Sequence, residues 1–243
     1  MSKKVVIIPT FNEIENIENI IRKTFTVFDG HILVVDDGSP DGTGNKVKEL
    51  MNQFPDQLFI QERKGKLGLG TAYIHGFKWA LDRGYEYIFE MDADFSHNPE
   101  DLNRLYQACT EGADLAIGSR YCKGVNVLNW PMMRLLMSYY GSMYVRFVLR
   151  IPVMDTTAGF KCYKDTTLKA IDFSRIQHIG YGFQIEMKFN VHKLGFKIVE
   201  VPIVFVDRTL GTSKMSAGIF KEAIIGVIGL KWKSYFRKWK RVA

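Results

Sequence analysis

Asp92 and Asp94, with only Ala93 between them, are the carboxylates in this sequence most readily tied to chemistry. On an extended segment this spacing sends both side chains to one side, and the small central residue leaves room for a ligand. Hard carboxylate oxygens suit Mg²⁺ or Mn²⁺, ions that complete their shells with water and substrate phosphates, so a bridged diphosphate is the natural third partner. The plainer reading is that the pair caps a helix beginning near Pro99. A position directly after a buried strand, beside a second acidic loop, favours the cation site.

That second loop is Asp36-Asp37-Gly38-Ser39-Pro40-Asp41-Gly42, and two readings of it stand. It is a tight turn whose acids cap the next helix, or Asp37 accepts hydrogen bonds from a nucleoside base or ribose hydroxyl. Pro9-Thr10-Phe11-Asn12-Glu13 closes the first strand in the same way. Carboxylates converging on one crevice repel each other unless a cation or hydrogen-bond donors neutralise them. Lys66-Leu67-Gly68-Leu69-Gly70-Thr71-Ala72 is glycine-rich behind a lysine but lacks the Gly-Lys-Ser/Thr of a P-loop, so it signals backbone approach to a ligand only weakly.

The elements that must hold these loops follow from apolar patterning. Residues 5–8 read as a buried strand, and Asn12 with Glu15 as a capping box for a helix burying Ile14, Ile17, Ile21 and Phe25. Strands follow at 32–35, 58–61, 87–91 and 113–118, with helices over 46–54 and 73–81 and another starting at Asn98-Pro99-Glu100. Strands without surface alternation, separated by helices, predict a parallel sheet covered on both faces: an open α/β sandwich whose ligands gather beyond the strands' carboxyl ends. Residues 130–151 form a nearly all-apolar helix carrying Arg134, Arg146 and Arg150. Residues 197–207 form a late strand broken by Pro202, an edge, and 219–239 a helix that turns from apolar to basic and aromatic.

At 243 residues and 47% hydrophobic, the chain fits one large α/β domain with an elaborated tail. The net charge of +7 points to an anionic partner. Cys109, Cys122 and Cys162, odd in number and widely spaced, indicate neither a disulfide framework nor a zinc knuckle, which fits a reducing, cytosolic setting. The first apolar run is too brief for a signal-peptide core, and no run reaches the length of a membrane span, so any membrane association is expected to be peripheral.

In order along the chain, Pro9–Glu13, the Asp36–Thr43 loop, Leu67 through Gly76, Asp92-Ala93-Asp94, Gly118-Ser119-Arg120-Tyr121, Thr157-Ala158-Gly159-Phe160-Lys161, and Phe205 through Ser213-Lys214 resemble the inverting family 2 glycosyltransferases. Within them the pattern is most similar to the dolichyl-phosphate (polyprenyl-phosphate) mannosyltransferases. The resemblance implies a GT-A fold with a mixed, mostly parallel sheet between helices, a catalytic domain over 1–210, and a loop and basic amphipathic helix over 211–243. It implies that Pro9, Phe11, Glu13, Val35 and Asp37 line the nucleoside pocket, and that Asp92, Ala93 and Asp94 hold the diphosphate and the metal. Arg120, Arg208 and Lys214 match positions that contact the nucleotide-sugar or the acceptor phosphate. The sequence departs from the pattern at Phe11, where Tyr is common, and at Ala158, where Ser is frequent. Ser96 stands where some members place a metal-binding Gln, so water is expected in that ligand's place.

The activity implied is transfer of mannose from GDP-mannose to dolichyl or polyprenyl phosphate at the cytoplasmic face of a membrane, with small membrane-protein partners compatible. A phosphate acceptor, with a second pKa near ~6, needs no strong catalytic base. Arg120 with Arg134 and Ser138, the last two four residues apart on one helix, could clamp it, although Arg134 also reads as a snorkelling residue. The tail, where Lys231, Trp232, Lys233, Tyr235, Phe236, Arg237 and Trp239 interleave, suits an anionic membrane interface. A polyprenyl-phosphate glucosyltransferase using UDP-glucose is the nearest rival. A sugar nucleotidyltransferase would carry its glycine-rich loop after the first strand, where this chain has Pro9–Glu13. A basic nucleic-acid-binding module is disfavoured by the acidic crevice, and no nucleic acid is expected as a partner.

Overall fold

The computed structural model describes residues 3–180, 182–207, 217–237 and 239, with side chains of the last helix described from residue 226. Arg208 and Lys214, both expected at the donor or acceptor phosphates, lie outside the described residues, as do Ser213, Lys238, Lys240 and Arg241.

The chain runs β1 (Lys4–Thr10), α1 (Ile14–Val27), β2 (His31–Asp36), α2 (Thr43–Met51), β3 (Leu58–Glu62), α3 (Leu69–Asp82), β4 (Tyr87–Glu90), α4 (Asp101–Thr110) and β5 (Leu115–Ser119). It continues through β6 (Val127–Leu128), α5 (Met132–Leu149), β7 (Lys161–Lys164), α6 (Asp165–Lys169), a 3-10 turn (Phe173–Arg175), α7 (Gly182–Lys193), β8 (Ile198–Pro202), β9 (Phe205–Val206) and α8 (Ala217–Phe236). Seven strands form one sheet in the order β3-β2-β1-β4-β7-β5-β8, and β6 pairs with β9 in a separate ribbon.

The sheet is mixed. β1 pairs parallel with β2 and β4, and β5 parallel with β8, but β7 runs antiparallel between β4 and β5. This is the mixed, mostly parallel sheet that the resemblance implies, whereas the alternation of strands and helices taken alone predicts only parallel pairing and misses β7. Two apolar layers cover the two faces. One joins Ile7, Val35 and Ile117 to α3, α5, α7 and Val227 and Leu230 of α8; the other joins Val6, Ile8 and Val34 to α1, α2 and α4. α3 lies so close to β1 that a Cβ on Gly76 would stand 2.8 Å from Ile7 Cγ2. β8 forms the edge expected around Pro202.

The start of α1 differs from expectation. Asn12 sits at a φ of 57° and α1 begins at Ile14, so the capping box does not form. The acidic loop after β2 supplies the caps. Ser39 Oγ accepts from Asn12 N (3.0 Å), Thr43 Oγ1 from Glu13 N (3.0 Å), and Asp41 Oδ2 from Ile14 N (3.1 Å). Two loops at the carboxyl edge are thereby fixed to each other.

Candidate active site

The loops after β1, β2 and β4 meet at one edge of the sheet, where parallel α/β folds gather their ligands. Within the acidic loop, Asp36 accepts from Thr10 Oγ1 (2.8 Å), Ser39 N (2.9 Å) and Ser39 Oγ (2.6 Å). Asp41 takes both the N–H and the hydroxyl of Thr43; burial pushes its carboxyl up, but these bonds and the Ile14 N–H hold it below its usual range. The capping reading therefore describes Asp36 and Asp41. Asp37 is buried and engaged as well: its Oδ1 accepts from Arg63 Nε at 2.6 Å and its Oδ2 from Leu67 N at 3.3 Å. Arg63 also donates to Thr71 Oγ1 at 2.8 Å, so Asp37 and Arg63 order the glycine-rich loop. Lys66 then lies over the Phe11 ring, 5.2 Å from its centroid, in the region expected to receive the nucleoside with Pro9, Glu13 and Val35.

Asp92 and Asp94 follow β4 directly and differ in environment. The Asp92 side chain is 40% exposed and accepts from Tyr73 Oη at 3.4 Å, while Asp94 is buried and accepts from Ser96 N at 3.0 Å through Oδ1. Burial first, and then the Asp92 charge, raise the Tyr73 phenol well above its usual pKa, so it remains a donor. Ala93 and Ser96 are buried beside them. Among the described residues no group of three or more His, Cys, Asp or Glu side chains is placed to hold a metal ion. Two carboxylates, one buried and one facing outward, suit a hard divalent ion that takes its other ligands from a diphosphate and water.

Below Asp92 the floor is polar and closed. The buried Lys161 ammonium donates to Glu90 Oε1 (3.1 Å), Tyr163 Oη (2.9 Å) and Gln184 Oε1, and Gln184 Nε2 donates to Glu90 Oε2 (2.8 Å). Lys188, also buried, gives its protons to the carbonyls of Thr156 (3.0 Å) and Ala158 (2.6 Å), which pins the loop leading into β7. Burial drives its pKa well below that of a free lysine.

Arg120 follows β5 and is held by Asp155: Nε and Nη2 donate to its two oxygens at 2.6 Å each, and the Arg120 N–H adds a third bond at 3.0 Å. Nη2 also donates to Thr157 Oγ1 at 2.8 Å. Arg134, on α5, gives Nη1 to both oxygens of Asp207 at 2.8 Å. Ser138 Oγ accepts from Tyr121 Oη at 2.8 Å. Each expected clamp residue thus has a protein partner, yet the two guanidiniums share one ring, since Arg120 lies 5.3 Å and Arg134 4.2 Å from Trp130. Trp130 Nε1 is buried and has no partner among the described residues. Phe205 links this cluster to the carboxylates. It packs against Trp130 (5.3 Å) and lies near Arg120 (5.5 Å), while His97 contacts its other side at 5.5 Å and accepts from Asp92 N through Nδ1 at 3.2 Å.

Arg63, Tyr73, His97, Trp130 and Asp155 are the site residues that spacing does not single out. Asp155 and Arg63 are separated by 35 and 26 residues from the partners they fix, and no local pattern reports such pairs.

Two carboxylates at the carboxyl edge of a mixed α/β sheet, beside the Arg120–Trp130–Arg134 cluster, form an arrangement suited to glycosyl transfer. The glycosyl transferase family 2 model matches residues 5–171, and the chain belongs to that family. It is 48% identical over 226 residues to the polyprenol monophosphomannose synthase of Mycolicibacterium smegmatis, covering 93% of this chain and 85% of that one. It is also 48% identical over 224 residues to the undecaprenyl-phosphate mannosyltransferase of Micrococcus luteus, covering 92% and 91%. The resemblance to polyprenyl-phosphate mannosyltransferases therefore holds over nearly the whole chain. The fold is similar to glucosyl-3-phosphoglycerate synthase from Mycobacterium tuberculosis solved with Mn²⁺ and UDP, at a TM-score of 0.66 and 19% identity, covering 94% of this chain and 79% of that one.

Proposed function

We propose that the enzyme transfers mannose from GDP-mannose to the phosphate of a polyprenol or dolichol, with inversion at the anomeric carbon. The observation that carries this reading is the junction at Phe205, where the Asp92–His97 side of the site meets the Arg120–Trp130–Arg134 side. An acidic half suited to a metal-bound diphosphate thus adjoins a cationic half suited to a second phosphate. The curated relatives named for polyprenol and undecaprenyl phosphate support the choice of acceptor.

The acceptor is already largely dianionic at neutral pH, so no strong base is required. What must be overcome is repulsion between two phosphate groups. Arg120, pre-oriented by Asp155, provides a fixed positive charge without reorganisation at the moment of reaction. Trp130 Nε1 offers a donor with no partner among the described residues, and Arg134, fixed by Asp207, adds a second cation beside it. Asp92 and Asp94 would hold the divalent ion, which neutralises charge on the departing nucleoside diphosphate. Asp37 acts on the nucleoside pocket through Arg63 and Leu67, setting the loop that faces Phe11.

A lipid acceptor needs a surface that reaches it. No helix among the described residues is long and apolar enough to cross a membrane. α5 instead exposes one stripe, Met133, Leu136, Met137, Tyr140, Met143 and Phe147, the last 84% exposed, while Val145 and Leu149 on its other side are buried. α8 packs against α5 and adds exposed Ile228, Trp232, Tyr235 and Phe236. In this reading residues 1–210 carry catalysis and 211–243 the tail, and the stripe rests peripherally on the cytoplasmic face of a membrane. Incubation with labelled GDP-mannose and a short polyprenyl phosphate, with Mg²⁺ or Mn²⁺, should yield polyprenyl-phosphate mannose; no transfer with either ion refutes the proposal. Competition by UDP-glucose separates the donors.

A further inference from the structure

A cleft of about 850 Å³ opens between the 3-10 turn, α7 and the end of α8, and none of its lining residues belongs to the site described above. Three cations line it. Lys233 Nζ donates to the neutral Gln177 Oε1 at 2.5 Å, Arg237 lies 4.3 Å from the Trp239 ring, and Arg175 pairs with Asp172 at 3.0 Å. The one carboxylate in the lining, Glu186, is engaged through one oxygen: its Oε2 accepts from Gln177 N (3.0 Å), His178 N (2.9 Å) and the His178 ring (2.7 Å). Burial and then the Arg175 charge lower the Arg237 pKa, with Asp172 and Glu186 opposing. The cleft thus carries, among the described residues, three cations, Arg175, Lys233 and Arg237, which outnumber the two carboxylates, Asp172 and Glu186, that act on them.

It also holds an unused acceptor. Asn190 is 1% exposed and lines the cleft; its Nδ2 donates to Glu186 O at 2.8 Å, but its Oδ1 has no partner among the described residues. A buried polar atom left unpaired is uncommon and calls for an occupant. A bare phosphate would meet the cations and leave Asn190 unsatisfied. A neutral alcohol would do the reverse. Trp232 and Phe236, in the lining and strongly exposed, continue into the apolar face of α5 and α8.

We propose that the cleft binds the headgroup of an anionic glycerophospholipid with free headgroup hydroxyls. Its phosphate sits among Arg175, Lys233 and Arg237, a hydroxyl donates to Asn190 Oδ1, and its acyl chains pass over Trp232 and Phe236. Such a site would turn general attraction to a surface into recognition of one lipid class. The acyl-chain placement rests on the membrane reading of α5 and α8; the headgroup placement does not.

The test uses the whole chain and two arms. In the first, water-soluble glycerophosphoglycerol is titrated and followed calorimetrically. In the second, the protein is sedimented with phosphatidylcholine vesicles containing either phosphatidylglycerol or phosphatidylmethanol, which carry equal charge but differ in hydroxyl donors. The expected result is saturable binding of the soluble headgroup and a clear preference for phosphatidylglycerol. The double variant Lys233→Gln/Arg237→Gln should weaken phosphatidylglycerol binding about 30-fold and erase the preference. Lys193→Gln/Lys231→Gln, with the same loss of charge outside the cleft, should keep the preference. Both variants should transfer mannose to a short acceptor as the parent does. Equal binding to both anionic vesicles together with no soluble-headgroup binding overturns the site. Headgroup binding without vesicle binding supports the cleft and removes the membrane reading instead.

Discussion

Replacing Asp155 with Ala tests whether Arg120 is a pre-oriented phosphate ligand or a structural cation. Asp155 is fully buried and takes three hydrogen bonds from Arg120 alone, two at 2.6 Å and one at 3.0 Å. The substitution leaves a buried guanidinium without its counter-ion, which costs about 3–5 kcal/mol. For a chain of this size that lowers the melting temperature by roughly 6–20 °C. Urea unfolding followed by tryptophan fluorescence reads the change directly. The apolar double variant Arg120→Met/Asp155→Leu removes both charges and should recover most of that stability, while transfer stays depressed by about 100-fold or more. Burial raises the Asp155 pKa, but the Arg120 charge and hydrogen bonds outweigh it, so the group lies below its usual value. A depressed folded pKa gives stability that is complete above the unfolded pKa near ~3.9 and is lost as pH falls through the folded value. The gap between parent and Asp155→Ala should therefore be full at neutral pH and narrow below about pH 4. A single-variant cost under about 1 kcal/mol, or a double variant with parental transfer rates, would refute the reasoning.

Asp94→Ala should cut transfer by about 1000-fold or more, because it removes one of the two carboxylates proposed to hold the divalent ion, while circular dichroism stays close to that of the parent. Normal rates at saturating Mg²⁺ would remove Asp94 from the site. Trp130→Phe keeps a ring between Arg120 and Arg134 but deletes the indole donor, which has no partner among the described residues. The acceptor KM should rise about tenfold and the donor KM hold steady, while the fold gains about 1 kcal/mol from losing an unsatisfied N–H; a stability gain with unchanged acceptor KM would assign the indole to packing alone. Gly76→Ala places a methyl 2.8 Å from Ile7 Cγ2 and should cost about 1–3 kcal/mol by denaturant titration, without altering either KM.

Much of this was legible where information is local. The buried strands expected at 5–8 and 32–35 lie within β1 and β2, and the one at 87–91 covers β4 with the Asp-x-Asp just beyond it, because apolar runs and side-chain alternation are short-range signals. The apolar helix expected over 130–151 forms as α5 over Met132–Leu149. β7 was not legible as a strand. Its four residues, Lys-Cys-Tyr-Lys, carry two lysines, and the buried Lys161 gives protons to Glu90 and Gln184, 71 and 23 residues away, as well as to Tyr163. The α1 cap escaped for the same reason. Asn12 and Glu15 satisfy the local pattern, yet Asp41 and Thr43 reach Ile14 and Glu13 from the next loop, and that arrangement displaces the capping box.

The two failures have a common functional consequence. A self-capped α1 would leave the Pro9–Glu13 loop and the Asp36–Thr43 loop independent of each other. Capping across the loops makes them one rigid wall, with Asp37 locking Arg63 and the glycine-rich segment onto it. The antiparallel β7 similarly draws the segment 155–160 in beside β4 and β5, so that Asp155 meets Arg120 and Gly159 comes within 4.0 Å of Asp92 Oδ2 when a Cβ is placed on it. A purely parallel sheet would have put β4 next to β5 and kept this loop away from the carboxylates. The Asp92 and Arg120 clusters, to which we assign the donor diphosphate and the acceptor phosphate, are thus held in place by the strand that periodicity does not reveal. Residue types suggest the chemistry, and non-local pairings such as Asp155 with Arg120 and Asp37 with Arg63 set where each charged side chain sits.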